Sequence, residues 1–115
     1  MTIKRFEDLI VWQKSQDLAM QIYKNFSSLK DYGFRDQISR ASVSISNNIA
    51  EGFGKGSNAD FKRFLYFSFG SNSEVRSMLY LSEKLNYLEK AKVDELIIQT
   101  NEVSKMLYAF IKSMK

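Results

Sequence analysis

Lys62, Tyr66, Phe69, Ser73, Arg76, Tyr80 and Lys84 follow one another at intervals of three and four residues, and no acid stands among them. On a helix that spacing places them all on one arc. Cations neutralise phosphates and aromatic rings stack on bases, so the row has the chemistry of a nucleic-acid surface. The same residue types also build subunit interfaces, where tyrosine and arginine are enriched. In that reading Tyr66, Phe69 and Tyr80 pack on a neighbouring copy and the charges form the rim. The interface is the more ordinary of the two readings, and a ring that presents its charged rim to RNA satisfies both. Arg63 lies near the arc, and Lys55 precedes it in a glycine-rich turn. The candidate nucleic-acid residues are therefore Lys55, Lys62, Arg63, Arg76 and Lys84.

A second row precedes this one. From Gln37 to Ala50 the chain reads as a helix whose single charge is Arg40. Phe34, Ile38, Ala41, Ile45 and Ile49 share one face, and Val43 and Ala50 form a smaller apolar patch. Arg40, Ser44, Asn47 and Glu51 run between them. A helix on the surface of a monomer needs a polar, usually charged face. This one is expected to be covered on both sides, by its own core and by a partner such as a second copy. The stripe reads as a polar seam before it reads as a ligand site. Arg40 and Glu51 stand three turns apart, so each would bond another helix or subunit, and such networks fix register. Arg40, Val43, Ser44, Asn47, Glu51, Tyr66, Phe69 and Tyr80 are the candidate residues of an oligomer surface or polar seam.

Other chemistries are excluded or weak. The chain has no cysteine and no histidine, which removes thiol nucleophiles, zinc–thiolate sites, the Ser-His-Asp triad and the commonest general base. Di-iron sites in helical bundles need Glu-x-x-His motifs, which are absent. Glu51-Gly52-Phe53-Gly54-Lys55-Gly56-Ser57 looks superficially like a phosphate-cradling loop, but it follows a helix and lacks the Gly-Lys-Ser/Thr ending. No catalytic residue, metal site or cofactor is expected. Trp12 is read as core or interface. The basic start has no long apolar run behind it and no stretch is apolar enough to span a membrane, so a cytoplasmic protein is expected. The net charge of +4 is compatible with nucleic acid or an acidic partner.

The elements that position these rows are helical. The 115 residues contain no proline, which favours long uninterrupted helices. A first helix is expected from about Leu9 to Phe26, capped by Asp8, stapled by Phe6, and turning Val11, Ser15, Leu18, Ile22 and Phe26 inward. Residues 27–33 form the first connection. A second helix runs from about Phe34 to Phe53 and is closed by Gly52, Gly54 and Gly56 through left-handed conformations. Ser57 or Asn58 caps a third, with Phe61, Phe64, Leu65, Ser68, Asn72, Val75, Leu79 and Ser82 inward, ending near Leu85. After a turn at 86–88, a fourth covers about Lys90 to Met114. Its inward row is Val93, Leu96, Ile97, Thr100, Val103, Leu107, Phe110, Ile111 and Met114. Short connections imply an all-α, antiparallel up-down-up-down four-helix bundle in one domain over 1–115.

Three segments carry a family resemblance. They are Asp8-Leu9-Ile10-Val11-Trp12-Gln13, Gln37-Ile38-Ser39-Arg40-Ala41, and Ser44-Ile45-Ser46-Asn47-Asn48-Ile49-Ala50-Glu51-Gly52. With Phe61 to Leu65, and Gly70-Ser71 followed by Glu74, the chain resembles the four-helix-bundle proteins of the bacterial 23S rRNA intervening-sequence family. Related proteins are accessory subunits of diversity-generating retroelements. Those are basic, barrel-like homopentamers, more strongly basic than this chain; the resemblance implies a bundle, a homopentamer and an RNA-linked role. Where a family member carries arginine after the glycine turn, this chain has Lys55, a point charge without a bidentate fork. Two functions follow as expectations: a non-catalytic homo-oligomeric module that binds RNA or a nucleoprotein, or a protein-interaction scaffold that binds no nucleic acid.

Overall fold

A computed structural model of the chain describes residues 3–114. Met1 and Thr2 of the basic start lie outside the described residues. The rest forms a short 3-10 turn, Phe6–Asp8, and four α-helices: α1 (Ile10–Phe26), α2 (Tyr32–Phe53), α3 (Asn58–Lys84) and α4 (Lys90–Ser113). Among the described residues there is no strand. Each helix packs on its neighbours in sequence, and α1 also meets α4, so the four close into a rod-like bundle of 44 × 22 × 19 Å. No described helix is long and apolar enough to cross a membrane.

The helical periods convert directly into burial. Val11, Ser15, Leu18, Ile22 and Phe26 are the buried residues of α1, and Ile38, Ala41, Ile45 and Ile49 line the inner face of α2. On α3, Phe64, Leu65, Ser68, Asn72, Val75, Leu79 and Ser82 are buried, with Phe61 packed at the edge. On α4 the buried row runs from Val93 to Ile111, while Phe110 and Met114 are partly buried against it. Each fully buried Leu, Ile or Phe stabilises by about 1.5–3 kcal/mol. Exposed ion pairs such as Lys14–Glu102 contribute about 1 kcal/mol at most, so the apolar rows hold the bundle.

The polar residues in this core are largely satisfied. Ser15 donates to the Val11 carbonyl at 2.7 Å and Thr100 to the Ile97 carbonyl at 2.7 Å, each within its own helix. Others tie helices together. Ser68 donates to the Ile45 carbonyl at 2.8 Å, joining α3 to α2. The Asn72 amide donates to the Thr100 carbonyl at 2.9 Å and to Ser104 Oγ at 2.8 Å, joining α3 to α4.

The helix ends depart from expectation in three places. Leu9, not Asp8, is the N-cap of α1 and makes no side-chain cap bond, because Phe6–Asp8 is wound into the 3-10 turn. Phe6 instead meets Trp12 edge-on, with ring centroids 5.3 Å apart. Helix α2 begins earlier, at Tyr32, because the Asp31 carboxylate accepts the Phe34 amide at 3.2 Å. Finally, Gly52 does not close α2. It is buried inside the helix, and a Cβ there would sit 2.5 Å from Phe64 Cβ. Gly54 has φ −79°, and the left-handed conformation is taken by Gly56, at φ 87°. Ser57 then caps α3 by accepting the Asp60 amide at 3.2 Å.

Candidate nucleic-acid interface

The candidate cations sort onto two sides of α3. Lys62 and Arg76 lie on the side toward α4: Lys62 Nζ donates to the Met114 carbonyl, and Arg76 stands one turn after Asn72, whose amide reaches α4. Lys84 continues the same row and is exposed at the end of α3. Arg63 is one residue from Lys62, but the 100° step per residue turns it toward α2. There its guanidinium stands 5.0 Å from the Phe64 ring centroid and 5.7 Å from that of Phe67. Lys55 approaches the same Phe64 ring at 5.3 Å. Lys55 and Arg63 therefore gather around Phe64 and Phe67 at the α2–α3 corner, where Arg63 also approaches Asp60 at 3.7 Å. They do not join the Lys62 row.

The register between α3 and α4 brings in residues that the α3 row alone does not reveal. Asn72 bonds both Thr100 and Ser104, and Lys62 Nζ donates to the Met114 carbonyl at 3.4 Å. In antiparallel helices this sets Lys62 level with Lys112, Tyr66 with Tyr108 and Phe69 with Lys105. Tyr66 and Tyr108 are each 58% exposed, and Tyr80 is 47% exposed. Phe69 is partly buried against the core, so it packs within the protomer and offers less surface than the tyrosines. The Lys112 ammonium stands 5.6 Å from the Tyr108 ring, and the Arg76 guanidinium 5.9 Å from the Tyr80 ring. Lys105, Tyr108 and Lys112 extend the face, and the repeat Asn101, Lys105, Tyr108, Lys112 at helical intervals was the signal for them. At the other end of these helices Asp94 pairs with Lys90 at 3.0 Å.

The α2 stripe lies on the outside of the protomer. Arg40, Asn47 and Glu51 are exposed, and Val43 and Ala50 are half-buried. Among the described residues, Ser44 is the one member of the stripe seen to bond another helix, accepting from Ser71 Oγ at 2.9 Å while Asn48 bonds it from within α2. Among the described residues no carboxylate pairs with Arg40. It borders a groove of about 480 Å³ toward α1, with Tyr23, Arg35 and Asp36, and one of about 620 Å³ toward α3, with Gln37 and Glu74. Tyr66 and Tyr80 belong to the α3–α4 face, away from this stripe, so the candidate seam residues form two surfaces.

A groove of about 440 Å³ at one end of the bundle is walled by Phe53, Phe61, Phe110 and Met114 and has no ionisable side chain in its lining. No group of three His, Cys, Asp or Glu that could hold a metal occurs among the described residues. Asp31 accepts the Tyr87 hydroxyl at 2.6 Å. That bond, and after it the Phe34 amide, holds the Asp31 carboxyl below its ordinary range, and the same bond to Asp31 raises the Tyr87 phenol. The pair ties the α3–α4 turn to the start of α2.

Comparison with known proteins agrees with this architecture. No curated protein matches the chain. A solved structure from Bacteroides thetaiotaomicron VPI-5482, described as a protein of unknown function from the S23 ribosomal protein family, is 28% identical. The match covers 89% of this chain and 98% of that one, with a TM-score of 0.83. The family model described as 23S rRNA-intervening sequence protein matches residues 7–109. With a family model matched over that span, the chain belongs to the 23S rRNA-intervening sequence protein family.

Proposed function

We propose that this chain is a non-catalytic, homo-oligomeric module that binds RNA through the face shared by α3 and α4. The observation that carries the reading is the row of cations and half-exposed tyrosines along that face: Glu74, the one acid between Lys62 and Arg76 in sequence, turns to α2 and accepts from Gln37, and no acid falls between Lys105 and Lys112 on α4. Such a surface attracts phosphate by charge and holds bases by stacking. The family's description ties its members to insertions in ribosomal RNA, which supports RNA as the partner. The outer face of α2 supports self-association, since Val43, Asn47 and Ala50 leave a helix of 22 residues with little charged surface. A homopentamer is the assembly that the family resemblance favours.

The test is a titration of structured RNA at several salt concentrations, with the assembly mass followed by light scattering. Binding should be modest, weakly selective for sequence and strongly salt-dependent. Replacing Lys62, Arg76 and Lys84 together by glutamate should abolish it and leave the mass unchanged. Each lysine or arginine removed from a phosphate lowers the salt slope by about 0.7–0.9. Replacing Lys55 and Arg63 instead should leave most of the binding. Retained binding in the triple variant would move the site to the α2–α3 corner. A parent protein that binds no RNA even at low salt would favour a protein-interaction scaffold.

A further inference from the structure

We infer that the α3–α4 face selects single-stranded over duplex RNA, with Tyr66 and Tyr108 as the paired stacking surface. The inference rests on the RNA-binding reading above and narrows its substrate class. The hydrogen bonds of Asn72 and Lys62 set the register that places Tyr66 on α3 level with Tyr108 on α4. Both rings are 58% exposed, so each presents area to solvent rather than to the core. Lys62 and Lys112 flank the ring pair on one side, and Lys105 follows on the other. Further along α3, Arg76 and Tyr80 repeat the pairing of cation and ring.

Charge alone does not distinguish the two forms of RNA, since both present phosphates. The rings do. Bases in a duplex are stacked on one another, and an A-form helix shows side chains its backbone, its 2′-hydroxyls and a shallow groove. Exposed tyrosines gain nothing from that surface. An unpaired strand offers a free face on each base, and base–aromatic stacking is the main sequence-tolerant source of its affinity. From Tyr66 to Tyr80 the helix rises about 21 Å. At a stacked spacing of about 3.4 Å, that length holds about six nucleotides. A second copy of this chain docked symmetrically here would set lysine against lysine, so charge argues against self-association on this face.

The experiment compares a labelled single-stranded RNA of twelve uridines with a twelve-base-pair RNA duplex, by fluorescence anisotropy on the intact protein at low salt. The strand is expected to bind at least about tenfold more tightly than the duplex. Tyr66→Ala with Tyr108→Ala should weaken strand binding about tenfold or more and leave duplex binding unchanged. Tyr66→Phe with Tyr108→Phe keeps the rings and should bind like the parent. Circular dichroism checks that the alanine variant keeps its helices, and the two single variants, each expected to lose part of the affinity, replace it if it does not. Equal or tighter binding of the duplex, or alanine variants that bind the strand like the parent, would overturn the inference while leaving the RNA-binding reading in place. Failure of the parent to bind either probe would overturn both.

Discussion

Replacing Gly52 by alanine should destabilise this bundle, although alanine is the better helix former. In the middle of a helix, glycine to alanine gains about 1 kcal/mol from propensity alone. Gly52, however, lies where α2 crosses α3. A Cβ at that position would be 2.5 Å from Phe64 Cβ, 3.1 Å from Phe61 Cδ1 and 3.3 Å from Phe64 Cγ. The nearest of these atoms is fixed to the α3 backbone, so no rotamer change relieves the clash and the helices must separate. Overpacking of this kind costs about 1–3 kcal/mol or more, and the fixed neighbour places it at the upper end. The net expectation is a loss of about 1–2 kcal/mol, or about 4–8 °C in Tm for a chain of this size. Gly70 is the internal control. It lies on exposed α3 with nothing within 4 Å of an added Cβ, so Gly70→Ala should gain about 0.5–1 kcal/mol. Urea unfolding of the parent and both variants at one protein concentration measures the difference, since association would shift apparent stability. If Gly52→Ala is as stable as the parent or more so, the close approach of α2 and α3 is not as described.

Three further outcomes concern α2 and the Asp31–Tyr87 pair. Ile45→Asp places an unpaired carboxylate at a fully buried core position and should cost at least about 3 kcal/mol, abolishing the cooperative fold by circular dichroism. Val43→Asp on the outer face of α2 should keep the helix content and lower the assembly mass in light scattering; identical responses would contradict the two-faced reading of α2. The Asp31–Tyr87 bond predicts a pH dependence at both ends. Asp31 has a lowered folded pKa, so its contribution is present above the ordinary carboxylate range and lost as pH falls through the lowered value. Tyr87 has a raised one, so its contribution is present below about pH 10 and lost as pH rises through the raised value. The Tm difference between parent and Tyr87→Phe should therefore be constant near neutrality and shrink in strong acid and strong base. A difference that is the same at pH 3 and pH 7 would refute the link.

The interior of the bundle was legible because burial follows the helical period. The five inward positions of α1 read from spacing are its buried residues, and the α3 and α4 rows differ only at their ends, where Phe61, Phe110 and Met114 are partly covered. Glycine at the α2 terminus misled because a glycine near a helix end can serve a turn or a close crossing, and only the position of Phe64 tells which. The start of α2 was missed because Tyr32 and Gly33 are weak helix formers, outweighed by the Asp31 cap. The candidate surface was half legible. The α3 row appeared in the spacing, but the contribution of Lys105, Tyr108 and Lys112 depends on the register between α3 and α4, which spacing along one helix does not contain. The separation of Arg63 from Lys62 likewise comes from which helix stands on each side of α3.

The central claim is that RNA lies along α3 and α4, and photo-cross-linking of RNA to the native protein at low salt, with the linked peptides identified by mass spectrometry, tests it most directly. Cross-links are expected at Tyr66, Tyr80 or Tyr108, fading as salt is raised. Cross-links confined to α1 or to the outer face of α2, or none at any salt concentration, would contradict it.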